Sequence, residues 1–350
     1  MKPGPKHIAV IRLSAMGDVA MMLPVLLAVI KAQPNIKITL ISRDRFAPIF
    51  AGIDQIQFLG AEVYGKHKGI IGLWRLAKSI KGLSVDAVAD LHHVLRSHVL
   101  SLFLKWSGLP VATIFKDRKA KQHAVKSFDP EQPWFKSSHE RYAEVFRSLG
   151  LTVALTPDVL ATSSKRPDGS ADFLQGRARP FIGIAPFAAF PGKVYPEGLM
   201  QELISKIKAQ FKGTVLLFGA PGAEQKTLDQ WALVGDDILN CAGMGSFTQE
   251  LNLLNQLDIM VAMDSGNGHL AANFGVPVIT LWGVTHPCFG FVPFAQPIEN
   301  QLCADRRQFP LIPTSIYGKT LPKGYDQVMS TIVPKTIINR IMTLLEKDQP

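Results

Sequence analysis

The 350-residue chain contains only three cysteines, Cys241, Cys288 and Cys303. Their odd number excludes a closed disulfide framework. The lack of CxxC spacing argues against a zinc site, and a reducing compartment fits. No apolar run reaches the roughly 20 residues that a membrane-spanning helix needs; the longest, Val19 to Ile30, has 12. No secretory signal is read at the start, because Arg12 and Asp18 interrupt the first apolar stretch. A soluble, cytoplasmic protein is therefore expected. Repeats and low-complexity tracts are also missing, and with 47% hydrophobic and 19% charged residues the composition excludes disordered, collagen-like and coiled-coil classes.

What is present is globular composition, in a chain too long for one ordinary core and comfortable for two. The net charge of +10 is unevenly spread. Residues 1–165 hold 23 Lys+Arg against 12 Asp+Glu, and residues 166–350 hold 15 against 16. The first half is thus suited to an anionic partner: nucleic acid, an acidic membrane or a phosphorylated substrate. The basic run Lys116 to Lys126 would ordinarily be a solvated face, but its weight in this asymmetry points to an anion contact. No aromatics are interleaved in it, so stacking on single-stranded nucleic acid is not indicated.

Short apolar runs alternate with helix-like stretches, as expected of a buried parallel sheet with crossover helices. His7–Leu13, Ile36–Ser42, Val85–Leu91 and Val111–Phe115 are candidate strands of a first half, with a helix over Asp18 to Ala32. Ser163 to Arg179 is polar and turn-rich, and reads as a linker. The pattern then restarts with Phe181–Ala185, Gly213–Gly219, Asp237–Asn240, Leu257–Met263 and Pro277–Trp282, and closes with an amphipathic helix after Val333. The fold class is α/β: two Rossmann-like, doubly wound domains facing across a cleft. The expected spans are 1–165, 166–333, and a helix over 334–350 that packs back toward the first domain. Ligands of such sheets bind at the carboxyl ends of the strands.

Candidate site residues sit where strands end. Asp264, Ser265, Gly266 and His269 lie in DSGNGH, which runs from a strand into a helix, and a helix N-terminus attracts phosphate. The plain alternative is that Asp264 or Ser265 caps that helix. Residues Gly266 to Ala271 formally fit a dinucleotide fingerprint, but nothing acidic follows until Glu299 to bind a ribose. Gly318-Lys319-Thr320 ends like a Walker A motif but has Pro313 where the first glycine belongs, so a P-loop is rejected. Lys193 follows the first strand of the second half and can neutralise phosphate. Glu224 follows the next and can bind ribose hydroxyls or cap a helix. Asp18, beside Ser14 and Gly17, is placed to act as a general base or as a helix cap. His92, His93 and His98 lack the carboxylate or cysteine that would complete a metal site, so structural or substrate-contacting roles are expected.

These segments, in this order, resemble the ADP-heptose:lipopolysaccharide heptosyltransferases of glycosyltransferase family 9. The resemblance rests on IRLSAMGDVAMMLPVL, DLHHVLRS, PFAAFPGKVYPE, FGAPGAE and MDSGNGHLAANFGVPVITLWGVTHP, and covers nearly the whole chain. It implies a GT-B fold and an inverting transfer that needs no metal or other cofactor. The implied donor, ADP-heptose, sits on the second domain. The implied acceptor is a lipid A–Kdo-type inner core, approached by the first domain at the inner face of the cytoplasmic membrane, with no nucleic acid involved. By position, Asp18 resembles the catalytic base. Lys193 resembles the donor-phosphate lysine, Glu224 the ribose acid and Met244 the adenine contact. Asp264, Ser265, Gly266 and His269 resemble the donor loop, with serine where threonine is commoner. Ser14, Arg96 and Lys119 are the acceptor-side candidates. The family's K-R-W-P reads Lys193-Val194-Tyr195-Pro196 here, one cation and one large aromatic fewer. Two alternatives stay open: a sugar-nucleotide epimerase of the same architecture, or a transferase using another nucleotide sugar.

Overall fold

The computed structural model describes residues 4–129, 131, 133–163 and 171–347. Contacts divide the chain into two compact units, 1–116 with 138–166, and 117–137 with 167–350. The third and last change of unit comes after residue 166. Residues 164–170 of the expected linker and the last three residues lie outside the described part.

The first unit is built on β1 (His7–Ile11), α1 (Met16–Ala20), α2 (Met22–Ala32), β2 (Lys37–Ser42), β3 (Ile56–Gly60), α3 (Gly69–Gly82), β4 (Ala87–Asp90), α4 (Leu95–Trp106) and β5 (Val111–Thr113). The chain then forms α5 (Arg118–Lys126) in the second unit and returns for α6 (Ser138–Ser148). The five strands are all parallel, in the order β3-β2-β1-β4-β5. That is a doubly wound order, with its switch point between β1 and β4. Ile8, Val10 and Ile11 are fully buried, so β1 reads as a continuous apolar run. The expected single helix from Asp18 breaks at Met21 into α1 and α2. Residues Met22 to Ile30 of α2 are buried, because α6 and the turn Pro157–Ser163 cover the side turned from the sheet.

The second unit holds α7 (Ala171–Leu174), β6 (Phe181–Ala185), α8 (Glu197–Gln210), β7 (Thr214–Leu217), α9 (Ala223–Ala232), β8 (Ile238–Asn240), α10 (Phe247–Asn255), β9 (Ile259–Met263), α11 (Gly266–Ala272), β10 (Val278–Trp282), β11 (Gln301–Cys303) and α12 (Pro334–Lys347). Its six parallel strands run β11-β10-β9-β6-β7-β8, with the switch point between β9 and β6. The closing helix differs from expectation. Ile337, Ile338, Ile341 and Leu344 of α12 join the core of this second unit, and the helix packs on α8. An apolar stripe at i, i+1, i+4 and i+7 is buried by its own sheet.

The segment 117–137 also departs from the expected spans. Lys121 is buried, and its Nζ donates to the Phe289 carbonyl at 2.5 Å while lying 4.5 Å from the centre of the Phe291 ring. Phe135 N–H donates to the Cys288 carbonyl at 2.9 Å, and Ala124 packs with Phe289 and Ile316. A buried ammonium without such an acceptor and aromatic faces would be costly, so these contacts fix α5 to the second unit.

Candidate active site

In the first unit the candidate base lies just past the end of β1. Asp18 Oδ2 accepts an ion-pair contact from Arg12 Nη2 and a hydrogen bond from Ala15 N–H at 3.3 Å. Its side chain is 31% exposed, whereas that of Arg12 is 5% exposed. Asp18 therefore combines two roles. It braces the start of α1, as the capping alternative held, and it keeps a solvent-open carboxylate at the switch point. Arg12 was not among the sequence candidates. The signal was present: an arginine inside the apolar run HIAVIRL must be buried, and a buried guanidinium demands partners. Those partners include Asp18 and the Leu91 carbonyl, which Nη1 reaches at 2.6 Å. The Tyr142 hydroxyl donates to the Asp18 carbonyl at 3.3 Å and closes the other side.

His92 is a structural and positioning residue. Its Nδ1 accepts the Leu13 N–H at 3.4 Å, which places the ring proton on Nε2, 3.4 Å from Ser14 Oγ. Burial, reinforced by Arg12, Lys116 and Arg96 nearby, pushes its pKa down to about 3, so the ring is neutral at physiological pH. Asp90, fully buried, accepts the His92 and His93 N–H groups at 2.9 and 3.0 Å and the Ser101 hydroxyl at 3.2 Å. Arg96 lies in the first turn of α4. Its guanidinium stands 5.3 Å from the Tyr64 ring, and that of Arg43 stands 5.5 Å from the same ring. Ser14, Asp18 and Arg96 thus share the carboxyl end of one sheet. Lys119 is exposed on α5, in the other unit.

In the second unit, Lys193 Nζ pairs with Asp264 Oδ2 at 2.9 Å, and Thr285 Oγ1 donates to the same oxygen at 2.9 Å. Both partners of the pair are nearly buried, at 11% and 12% exposed. This joins the ends of β6, β9 and β10 at the switch point. Asp264 acts by holding the lysine. Ser265 stands at the N-cap position of α11, as the alternative reading held, but makes no side-chain cap bond. Two glycines make the arrangement possible. A Cβ on Gly192 would stand 2.8 Å from both methyl carbons of Val284, so only glycine lets the turn Pro191–Lys193 press onto the loop after β10. Gly318, at φ +81°, lies over the lysine stem, where a Cβ would meet Lys193 Cδ at 2.4 Å. A lysine ammonium has three donors, and the carboxylate takes one.

The remaining donor candidates stand at neighbouring strand ends. Gly266 opens α11, and His269 is buried within it. Glu224 Oε2 accepts Ala220 N–H at 2.7 Å and braces the loop after β7. Met244 is exposed on a turn flanked by Gly243 and Gly245, both at positive φ. Tyr195 is structural: buried, it donates its hydroxyl to the Ile332 carbonyl. Thr285, absent from the sequence candidates, had no distinguishing spacing. Among the described residues, no group of three or more His, Cys, Asp or Glu could hold a metal, and no helix is long and apolar enough to cross a membrane.

Two doubly wound parallel sheets in one chain, each with polar residues gathered at its switch point, form the GT-B architecture. The chain is similar in fold to E. coli heptosyltransferase WaaC solved with ADP, at a TM-score of 0.67 and 18% identity, covering 97% of this chain and 99% of that one. Residues 73–310 match glycosyltransferase family 9 (heptosyltransferase), and the chain belongs to that family. It is a glycosyltransferase. It is 25% identical over 291 residues to the lipopolysaccharide core heptosyltransferase OpsX of Haemophilus influenzae, covering 81% of this chain and 80% of that protein. It is also 25% identical over 343 residues to lipopolysaccharide heptosyltransferase 1 of Salmonella typhimurium, covering 89% and 99%.

Proposed function

We propose that the enzyme transfers a heptose from ADP-heptose to the inner core of lipopolysaccharide, with inversion and without a metal ion. The observation that carries the chemistry is the Asp18 carboxylate, open to solvent at the end of β1 and held by a buried arginine. Asp18 takes the proton of the acceptor hydroxyl as that oxygen attacks the anomeric carbon, and the sugar–phosphate bond breaks on the opposite face. A single carboxylate serving as base, with no carboxylate nucleophile, gives inversion. Lys193 meets the negative charge gathering on the departing diphosphate, steadied by Asp264 and Thr285, with the α11 amides from Gly266 beside it. Glu224 and Met244 bind the ribose and adenine. The names of the relatives support the donor and acceptor.

Ser14 and Arg96 sit on the acceptor side. The first unit carries 19 Lys+Arg against 9 Asp+Glu, so its positive excess persists without the segment 117–137. That excess suits a phosphorylated, lipid-linked acceptor, and the enzyme works as a peripheral protein on the inner face of the cytoplasmic membrane. Lys119, exposed on α5 of the second unit, is kept as a third acceptor-side candidate.

The test is incubation with ADP-heptose and inner-core lipid, followed by mass analysis. ADP release with acceptor gaining one heptose is expected. A new nucleotide sugar without ADP would make it an epimerase, and no reaction with ADP-heptose but turnover of another nucleotide sugar would move the donor.

A further inference from the structure

Two helices of the first unit carry apolar side chains that their own core does not use. In α3 the inward face is complete: Leu73, Leu76, Ala77 and Ile80 are buried. Ile70, Ile71 and Trp74 point elsewhere and are 69%, 68% and 52% exposed. Helix α4 packs beside α3 and repeats the pattern. Leu100 and Leu104 face inward, while Leu95, Leu102 and Trp106 lie on its outer stripe, with Trp106 72% exposed. Leu95, Leu102 and Trp106 recur at i, i+7 and i+11, one face of a helix. Large exposed apolar groups gathered on neighbouring helices mark a binding surface.

The charges around them are of one sign. Neither α3 nor α4 contains an Asp or Glu, whereas Arg75, Lys78, Lys81, Arg96 and Lys105 all lie in these two helices, and Lys68 immediately precedes α3. Between Glu62 and Asp117 the only acids are Asp86 and Asp90. Asp86 is occupied by the Lys6 and His7 amides at the amino end of β4, and Asp90 is buried. The Lys78 ammonium lies 5.7 Å from the centre of the Trp74 ring.

We propose that the outer face of α3 and α4 is a docking surface for an anionic lipid bilayer. Aliphatic groups and tryptophans bordered by cations, with no carboxylate, match the headgroup–acyl boundary, where indole rings and basic side chains are favoured. Ile70, Ile71 and Trp74 lie in the first turns of α3, at the carboxyl end of the sheet, the end that carries Asp18. Docking through this face holds the first unit's site at the membrane. The inference deepens the reading of a membrane-borne acceptor, and it is tested without any sugar donor so that each can fail alone.

The full-length protein is floated with vesicles of phosphatidylethanolamine and phosphatidylglycerol, and with phosphatidylcholine vesicles, at low and high salt. Binding to the anionic vesicles, weakened by salt, is expected. The variant Ile70→Ser/Ile71→Ser/Trp74→Ser should bind at least about tenfold more weakly, and Lys78→Gln/Lys81→Gln/Lys105→Gln should flatten the salt dependence. A conservative variant, Trp74→Phe/Trp106→Phe, guards against misfolding. It should keep binding but lose most of the fluorescence quenching that brominated lipids cause. Anionic vesicles ignored by the wild type, binding unchanged in the triple serine variant, or full quenching in the Phe variant would each overturn the proposal. So would a wild-type dimer in sedimentation that the serine variant abolishes, because a second copy would then be the occupant.

Discussion

Replacing Asp18 with asparagine tests the assignment of the base most directly. The side-chain amide keeps the shape and one oxygen for Arg12 and for the Ala15 N–H, but it cannot accept a proton at neutral pH. General bases typically contribute 10²- to 10⁴-fold, so a barrier increase of about 3–5 kcal/mol is expected in kcat. The stability cost can be bracketed separately. Breaking a fully buried ion pair costs about 3–5 kcal/mol, and an exposed one at most about 1 kcal/mol. Arg12 is buried, but Asp18 is about a third open and the amide retains a contact, so about 1–2 kcal/mol is lost. Asp18→Ala, which leaves Arg12 without that oxygen, should lose more. Three measurements separate these effects: turnover by ADP release, ADP affinity by calorimetry, and urea unfolding. The expected pattern is turnover down about 100-fold or more, ADP affinity within a few-fold of wild type, and a small stability loss. A folded Asp18→Asn variant with near-normal turnover would reduce Asp18 to a brace for Arg12 and α1. Loss of ADP binding in step with turnover would also refute the argument, since this carboxylate was placed on the acceptor side.

Lys193→Ala should weaken ADP binding by at least about tenfold and leave anionic-vesicle binding unchanged. It should also destabilise the protein by roughly 3 kcal/mol, because Asp264 keeps a nearly buried charge; unchanged ADP affinity in titration calorimetry refutes the phosphate role. His92 titrates in the fold at about 3, below its ordinary value of 6.5, so the unfolded chain gains a proton first as pH falls. Its contribution is therefore intact above about pH 6.5 and declines towards pH 3, costing roughly 1–2 kcal/mol between pH 7 and 5. His92→Gln should show a shallower loss in urea titrations over that window, and an equal slope would sink the assignment. Activity should survive EDTA, since the diphosphate is met by a lysine and backbone amides; loss that magnesium or manganese restores would show a metal requirement.

Most of the second sheet could be read from its apolar runs: Leu257–Met263 and Pro277–Trp282 each enclose an observed strand, β9 and β10, trimmed by one or two residues. Two strands are not legible in the sequence. β3 (IQFLG) and β11 (QLC) lie at sheet edges, are short and carry polar residues, so no continuous apolar run announces them. The site divides in a similar way. Asp18, Lys193 and Asp264 stand at strand ends in turn-rich sequence, where a charged residue is conspicuous. Arg12 sits within the strand run itself, and Thr285 in a loop whose partner, Asp264, is 21 residues away. Long-range pairing of that kind leaves no local periodicity. The placement of 117–137 was hidden for the same reason: α5 looks like a solvated basic face until Phe289 supplies an acceptor for Lys121, 168 residues later.

That excursion bears on how the enzyme can be dissected or recombined. No single cut yields both units whole. A fragment spanning 167–347 would lack α5 and leave Cys288, Phe289 and Ile316 without Ala124 and Phe135, whereas a fragment ending at 166 would carry a basic helix with its apolar side bare. A chimera that exchanges the second unit with that of another family 9 enzyme must transplant two stretches, 117–137 together with everything after 166. Hybrids spliced only at the linker would inherit a mismatched patch around Phe289, and poor solubility in such hybrids would trace to that seam.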